Sequence, residues 1–177
     1  MRRKAEPKRT ARAERTAIGR GIELAIRNIR TDGNPVLREI CKEVKEVTDG
    51  TRRILDDMTE TMFASDGVGL AAPQIGIPKR MVVIDDREGH SFKLVNPEIV
   101  SREGEQISSE GCLSIPGYQG KCKRPLKVTV KALNEYGEPV EFTAEGQLAV
   151  ICCHEFDHLD GILYKDKAIE FMKKDEE

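Results

Sequence analysis

Two stretches of the chain place large apolar residues every three or four positions, the spacing of a helix that buries one face. The first covers residues 49–65 and predicts a helix that packs on the core, followed by a glycine turn. The second covers about residues 145–160. Its candidate core residues are Leu148, Val150, Ile151 and Phe156.

Short apolar runs between these helices predict strands at residues 81–84, 92–95, 128–132 and 140–143. A turn is predicted at residues 134–137, where the sequence is Asn-Glu-Tyr-Gly. The order of the runs favours an α+β fold, with mainly antiparallel strands packed around a central C-terminal helix. No internal repeat is seen.

Charge divides the chain of 177 residues into two unequal parts. Residues 1–20 carry a balance of +6 and almost no large apolar residue, whereas the remaining residues carry −8. A segment of this kind cannot offset the entropy cost of ordering. We therefore predict a basic, disordered arm over residues 1–24 and one catalytic domain over residues 25–177. The arm could be an organelle-targeting peptide, a contact to an anionic surface such as ribosomal RNA, or translated sequence without a role. The last is favoured.

Nothing in the sequence predicts a membrane span or a secretory signal, so a cytoplasmic protein is expected. The five cysteines are an odd number without the spacing of a disulfide framework, which favours reduced thiols. One of them is a candidate metal ligand.

The clearest chemical signal is the sequence His154-Glu155-Phe156-Asp157-His158. Positions i and i+4 share one face of a helix, so His154 and His158 can reach one metal ion while Glu155 handles a proton. Two histidines at this spacing also occur by chance in amphipathic helices. The intervening glutamate favours a metal-dependent hydrolase.

A third ligand must come from elsewhere, and Cys112 is the best candidate because its polar segment does not have the pattern of a core strand. Two imidazoles and a thiolate suit a borderline metal and leave one position open for water. Cys122, Cys152 and Cys153 are rivals. With Cys122 as a fourth ligand, the site would be a closed structural zinc centre instead.

Residues 67–76, with the sequence GVGLAAPQIG, contain small side chains that allow a ligand to approach the backbone. The segment lacks the spacing of a phosphate-binding loop. It could equally be a tight turn between helix and strand. Gln74 favours a functional role, because its amide can donate to an oxyanion.

Taken together and in this order, the sequences GVGLAAPQIG, EGCLS (residues 110–114) and HEFDH strongly resemble the peptide deformylase family. The resemblance covers nearly the whole chain after about residue 25. It implies an enzyme that removes the formyl group from the N-terminal formyl-methionine of new polypeptides and releases formate. It also implies Fe²⁺ as the metal, with zinc or nickel as possible substitutes, and no sequence-specific contact to nucleic acid.

The same resemblance assigns roles to individual residues. Cys112, His154 and His158 would hold the metal, and Glu155 would be the general base and acid. Gln74 and the backbone N–H of Leu113 would polarise the formyl oxygen. The substrate-binding residues would be Val68, Gly69, Gly111, Val150 and Ile151, although the last two are also simple core positions.

Some positions depart from the family pattern. Cys153 stands where relatives often have glutamine, and the tail at residues 168–177 is shorter than the basic helix that some bacterial relatives use at the ribosome. Any ribosome contact is therefore expected to be transient. Arg124 and Glu110 are expected to brace the ligand loop. A zincin-type peptidase is disfavoured because Glu170, a possible downstream ligand, lies in a tail that is expected to fray.

Overall fold

The computed structural model describes residues 24–175. The predicted basic arm lies outside these residues, apart from Leu24, so the boundary between arm and domain stays a prediction. No helix in the described range is long and apolar enough to span a membrane.

The first predicted helix is confirmed as α1, Asp49–Ala64. Thr48 caps its N-terminus, where the side-chain oxygen accepts a hydrogen bond from the Thr51 N–H. The face that carries Leu55, Met58 and Met62 is buried against the sheet, as the apolar spacing predicted.

Five strands form an antiparallel sheet in the order β1-β2-β3-β6-β7. Four of them contain the predicted strands, which are confirmed. The strands are β1 (Gly69–Ala71), β2 (Met81–Asp85), β3 (Ser91–Glu103), β6 (Lys127–Leu133) and β7 (Pro139–Glu145). β3 is much longer than predicted, because two register shifts in its second half break the alternation that reveals a strand.

A second antiparallel sheet has the order β4-β5-β8 and was not predicted. Its strands are β4 (Gln106–Cys112), β5 (Ile115–Arg124) and β8 (Ala168–Lys173). Cys112 ends β4, a polar strand at the edge of this sheet, which agrees with the expectation that its segment is not a core strand. One expectation is wrong. The tail does not fray over residues 168–173, because β8 pairs with β5 and Phe171 stacks on Tyr118.

The second predicted helix is α2, Gln147–Leu159, and eleven of its thirteen residues are buried. It contacts both sheets. A short helix, α3 (Tyr164–Lys167), follows it, and 3₁₀ turns occupy Pro35–Arg38 and Ala72–Ile75. The fold is thus α+β with antiparallel strands around a buried C-terminal helix, as predicted.

Candidate active site

Three metal-ligating side chains meet where helix α2 faces the end of β4. His154 and His158 are one helical turn apart on α2, and Cys112 is the last residue of β4. Their ligand atoms lie within 4.8 Å of one another, and Cys112 Sγ is 3.4 Å from His158 Nε2. Among the described residues, this is the one group of three or more potential ligands that converges in this way.

The geometry of this cluster fits a bound divalent metal ion. Tetrahedral bonds of about 2.3 Å to sulfur and about 2.1 Å to nitrogen place those two atoms about 3.6 Å apart, close to the distance between Cys112 and His158. One thiolate and two imidazoles suit iron, zinc or nickel. Three protein ligands leave a coordination position for water, as catalysis requires.

The rival ligands do not reach this cluster. Cys122 is fully buried on β5, where its thiol lies 3.5 Å from the carbonyl oxygen of Tyr164. Cys152 is fully buried in the apolar core. A closed centre with Cys122 as the fourth ligand is therefore not supported.

A network of buried charges fixes the ring of His154. Its Nδ1 lies 2.9 Å from Glu110 Oε1, and Glu110 accepts two further hydrogen bonds, of 2.8 and 2.9 Å, from Arg124. Arg124 also donates to Asp157 on the helix, at 2.7 Å. Because Nδ1 is engaged, Nε2 of His154 is left to bind the metal. Arg124 and Glu110, which were expected to support the ligand loop, are thus joined by two hydrogen bonds.

Burial lowers the pKa of both histidines, but at His154 hydrogen bonding outweighs burial. Burial lowers the pKa of His158 well below its usual value. Burial also opposes protonation of His154, but hydrogen bonds to Cys112 and Glu110 outweigh it and raise its pKa well above the usual value. Positive charge is thus favoured on the ring of His154 and disfavoured on the ring of His158.

Glu155 lies beside the cluster, buried to 5% exposure. Burial raises the pKa of its carboxyl to about 7, a value suited to accepting and returning a proton at neutral pH. Its Oε2 has no hydrogen-bond partner among the described residues. The backbone of Gly69 passes so close that a Cβ there would lie 2.5 Å from Glu155 Oε1. A side chain at this position would therefore require Glu155 to move.

Gln74 faces the same point from the 3₁₀ turn after β1. Its Oε1 accepts a hydrogen bond of 2.9 Å from the Ala71 N–H, which fixes the orientation of the amide. Its Nε2 donates to Ser114 Oγ at 3.1 Å and lies 3.6 Å from Cys112 Sγ. An amide donor therefore points at the candidate metal centre.

A cavity of about 380 Å³ opens in front of these groups. Val68 and Gly69 line one wall, at the free edge of β1, and Gly111 lines the opposite wall, at the free edge of β4. Val150 and Ile151 of helix α2 also line it. Gln74, Leu113, Cys112, His154 and Glu155 complete the set, whereas His158 is buried behind them. All the candidate residues are thus gathered in one place.

Sequence reasoning missed several residues around the site. Ser114 bonds to Gln74, Asp157 holds Arg124, and Tyr164 stacks on His154 with ring centroids 5.8 Å apart. Asp157 could have been found, because it lies inside the histidine motif. Ser114 and Tyr164 carry no pattern that distinguishes them from ordinary buried residues.

Cys153 faces away from the substrate cavity. It lines a separate cavity of about 270 Å³ behind helix α2, together with Arg102 and Lys167. Burial raises the pKa of its thiol. Cys153, which stands where relatives often have glutamine, is therefore not one of the residues that line the main cavity.

Comparison with known proteins gives a consistent result. The model of the polypeptide deformylase family matches residues 26–174. The peptide deformylase of Acetivibrio thermocellus is 54% identical over 153 residues, which are 86% of this chain and 89% of that protein.

Two crystal structures illustrate the structural likeness. A peptide deformylase from Legionella pneumophila is 46% identical with a TM-score of 0.79, over 81% of this chain and 86% of that one. A Met-Ala-Ser-bound class I type b enzyme from Acinetobacter baumannii is 33% identical with a TM-score of 0.78, over 82% and 99%. With a converged metal-ligand set, a buried glutamate and these relatives, the chain belongs to the peptide deformylase family of enzymes, hydrolases that remove N-terminal formyl groups.

Proposed function

We propose that this enzyme acts on the formyl-methionine of nascent polypeptides and that Cys112, His154 and His158 hold Fe²⁺ in its active site. The observation that carries the proposal is the convergence of these three ligand atoms within 4.8 Å, beside the buried carboxylate of Glu155. Zinc or nickel would fit the same donor set. Bound there, the metal supplies Lewis acidity and lowers the pKa of a water molecule.

Glu155 moves the proton in this scheme. Its carboxylate accepts a proton from the attacking water as oxygen bonds to the formyl carbon. It then delivers the proton to the amine nitrogen as the C–N bond breaks. Formate and a free amino terminus are the products, so one water is consumed for each formamide bond. The raised pKa of this carboxyl, about 7, supports both transfers.

Gln74 and the backbone N–H of Leu113 stabilise the negative charge that develops on the formyl oxygen. The amide of Gln74 is held in place by Ala71 and Ser114 before substrate arrives. Donors that need no rearrangement at the moment of reaction contribute most to such stabilisation.

The peptide lies extended between the free edges of β1 and β4. Val68 and Gly69 pair with its backbone on one side and Gly111 on the other, as in strand addition to a sheet edge. The methionine side chain enters the cavity towards Val150 and Ile151. The Met-Ala-Ser ligand of the Acinetobacter relative is consistent with a methionine-first peptide in this groove.

We place the enzyme in the cytoplasm, where its substrates are made, with at most transient contact to the ribosome. The edge strands β1 and β4 are open to an extended chain. This arrangement suits a peptide rather than a nucleic acid.

The decisive experiment is formate release from a formyl-methionine peptide by protein purified anaerobically with Fe²⁺, compared with a Glu155→Ala variant. We expect the variant to keep its metal and to lose roughly 10²-fold or more in rate. Glu141→Ala is the control, because this exposed residue lies on β7, outside the cavity. Formate release by Glu155→Ala at the wild-type rate would remove the proposed role, and metal-loaded wild type without activity would remove the proposed substrate.

A further inference from the structure

We propose that Lys174 selects the residue that follows formyl-methionine, favouring aspartate or glutamate over neutral and basic side chains. This inference rests on the proposed binding of the peptide between β1 and β4. It extends the site to a residue at the far end of the sequence, directly after β8.

The pairing of β8 with β5 brings Lys174 to the cavity. The Lys174 N–H donates a 2.8 Å hydrogen bond to the carbonyl oxygen of Gly117, which extends the ladder between the two strands by one step. Its side chain then runs over β4. A Cβ built on Gly111 would lie 3.7 Å from Lys174 Nζ. The ammonium is thus held beside the strand edge that receives the peptide.

The alternation of side chains in an extended peptide fixes which substrate residue meets this charge. Successive side chains point to opposite sides of a strand. If methionine points inward to Val150 and Ile151, the next side chain points outward, towards solvent. The open, outward side of Gly111 is the side on which Lys174 Nζ lies.

Lys174 is also the cavity charge that remains available to substrate. Of the acidic groups that line the cavity, Glu110 is held by Arg124, Glu155 is buried at the metal centre, and Asp66 is exposed, next to Gly67 in the sequence. Within residues 24–175, Lys174 is the one lysine or arginine that lines the cavity, and its ammonium has no ion-pair partner there. An incoming carboxylate therefore does not have to displace a partner among these described residues.

The expected effect is small because Lys174 is exposed, and an exposed ion pair contributes little in water. We expect kcat/KM for an aspartate after methionine to exceed that for asparagine by roughly two- to five-fold at low salt. The preference should weaken as salt is added. Lysine in the same position should give a value below that of asparagine.

The test compares three amidated peptides, formyl-Met-Asp-Ala-Ser, formyl-Met-Asn-Ala-Ser and formyl-Met-Lys-Ala-Ser, with wild type, Lys174→Gln and Lys174→Glu. Amidation removes the terminal carboxylate as a second negative charge. Lys174→Gln should bring the aspartate and asparagine values together, and Lys174→Glu should reverse the order of aspartate and lysine. Lys173→Gln is the matched control, because this neighbour on β8 does not line the cavity and should keep the wild-type preference.

An unchanged ratio of aspartate to asparagine in Lys174→Gln, with good activity on all peptides, overturns the inference and leaves the proposed function intact. If Lys173→Gln also lost the preference for aspartate, the preference would depend on overall charge rather than on Lys174. That result would also overturn the inference. Lack of formate release from all three peptides by metal-loaded wild type would instead contradict the proposed function.

Discussion

Glu110 and His154 are joined by a 2.9 Å contact between a buried carboxylate oxygen and ring Nδ1, and the carboxylate is itself held by Arg124. Burial opposes the negative charge of Glu110, but hydrogen bonds from Arg124 and His154 outweigh it and keep its pKa far below the usual value. A carboxylate that stays charged at this position orients the ring and makes His154 a stronger ligand.

Glu110→Gln should therefore weaken metal binding without removing a ligand. Loss of such an outer partner typically costs about 10- to 100-fold in metal affinity. The dissociation constant can be measured by competition with a chelator. Glu105→Gln is the control, because Glu105 is exposed and pairs with Lys123 on the surface. Equal metal affinity in wild type and Glu110→Gln would mean that the brace does not tune the centre.

Single substitutions of Cys112 and Cys122 distinguish a three-ligand catalytic metal centre from a four-ligand structural one. Cys112→Ser should lose most of its bound metal and its activity, because a hydroxyl replaces the thiolate ligand. Cys122→Ser should retain both, since Cys122 lies outside the ligand cluster. Metal content per protein molecule and formate release are the two readouts. Unfolding of Cys122→Ser on loss of metal would instead indicate a four-ligand structural centre.

Gly69→Ala should reduce activity by displacing a side chain rather than by removing one. The new methyl group would lie 2.5 Å from Glu155 Oε1 and 2.7 Å from its Cγ, so Glu155 would have to move. We expect kcat to fall by roughly 10²-fold, in line with the loss of a general base, while bound metal is retained. Gly50→Ala, where the nearest atom is 3.4 Å away, should leave kcat unchanged. Normal turnover by Gly69→Ala would show that the glutamate has room to shift.

Asp166 should make a pH-dependent contribution to the free energy of unfolding. A hydrogen bond from Arg38 lowers the pKa of Asp166 below its usual value, and the Leu163 N–H adds to this effect. A lowered pKa in the folded state stabilises the fold above the unfolded value of 3.8, and this contribution is lost as pH falls further. Because the carboxylate is 36% exposed, the gain is at most about 1 kcal/mol.

Urea denaturation of wild type and Asp166→Asn between pH 7 and pH 3 tests this contribution. The wild type should be the more stable protein at pH 7, and the difference should shrink below about pH 4. A difference that stays constant over the whole range would exclude a titration effect of this carboxylate.

The sequence predicted those parts of the fold in which apolar residues recur with a single regular period. Helix α1, helix α2 and the regular strands each bury apolar residues at a regular spacing, and this spacing can be recognised in the sequence. β4 was missed because its small, polar and charged residues do not alternate clearly. β8 was missed because its large apolar residues are exposed and lie in a short charged tail. They are strands because β5 pairs with both of them, and that long-range pairing leaves no local signal.

Candidate site residues were predictable where the chemistry needs particular residue types at fixed spacing, as for His154, Glu155 and His158. Cys112 ranked first because of its polar segment, but several cysteines were available, and only the fold shows that it is the one near both histidines. Lys174 could not be found in either way. Its proximity to Gly111 follows from the register of β8 on β5, which the sequence does not encode in any local pattern.

The pairing of β8 makes Lys174, nearly the last described residue of the chain, part of the wall of the catalytic cavity. Synthesis proceeds from the amino terminus, so helix α2 and both histidines are complete before this wall exists. An enzyme that processes the beginnings of other polypeptides thus acquires its full substrate groove only when its own translation has passed Lys174. Premature termination between residues 160 and 168 would leave every metal ligand in the chain but would remove Lys174 from the cavity wall.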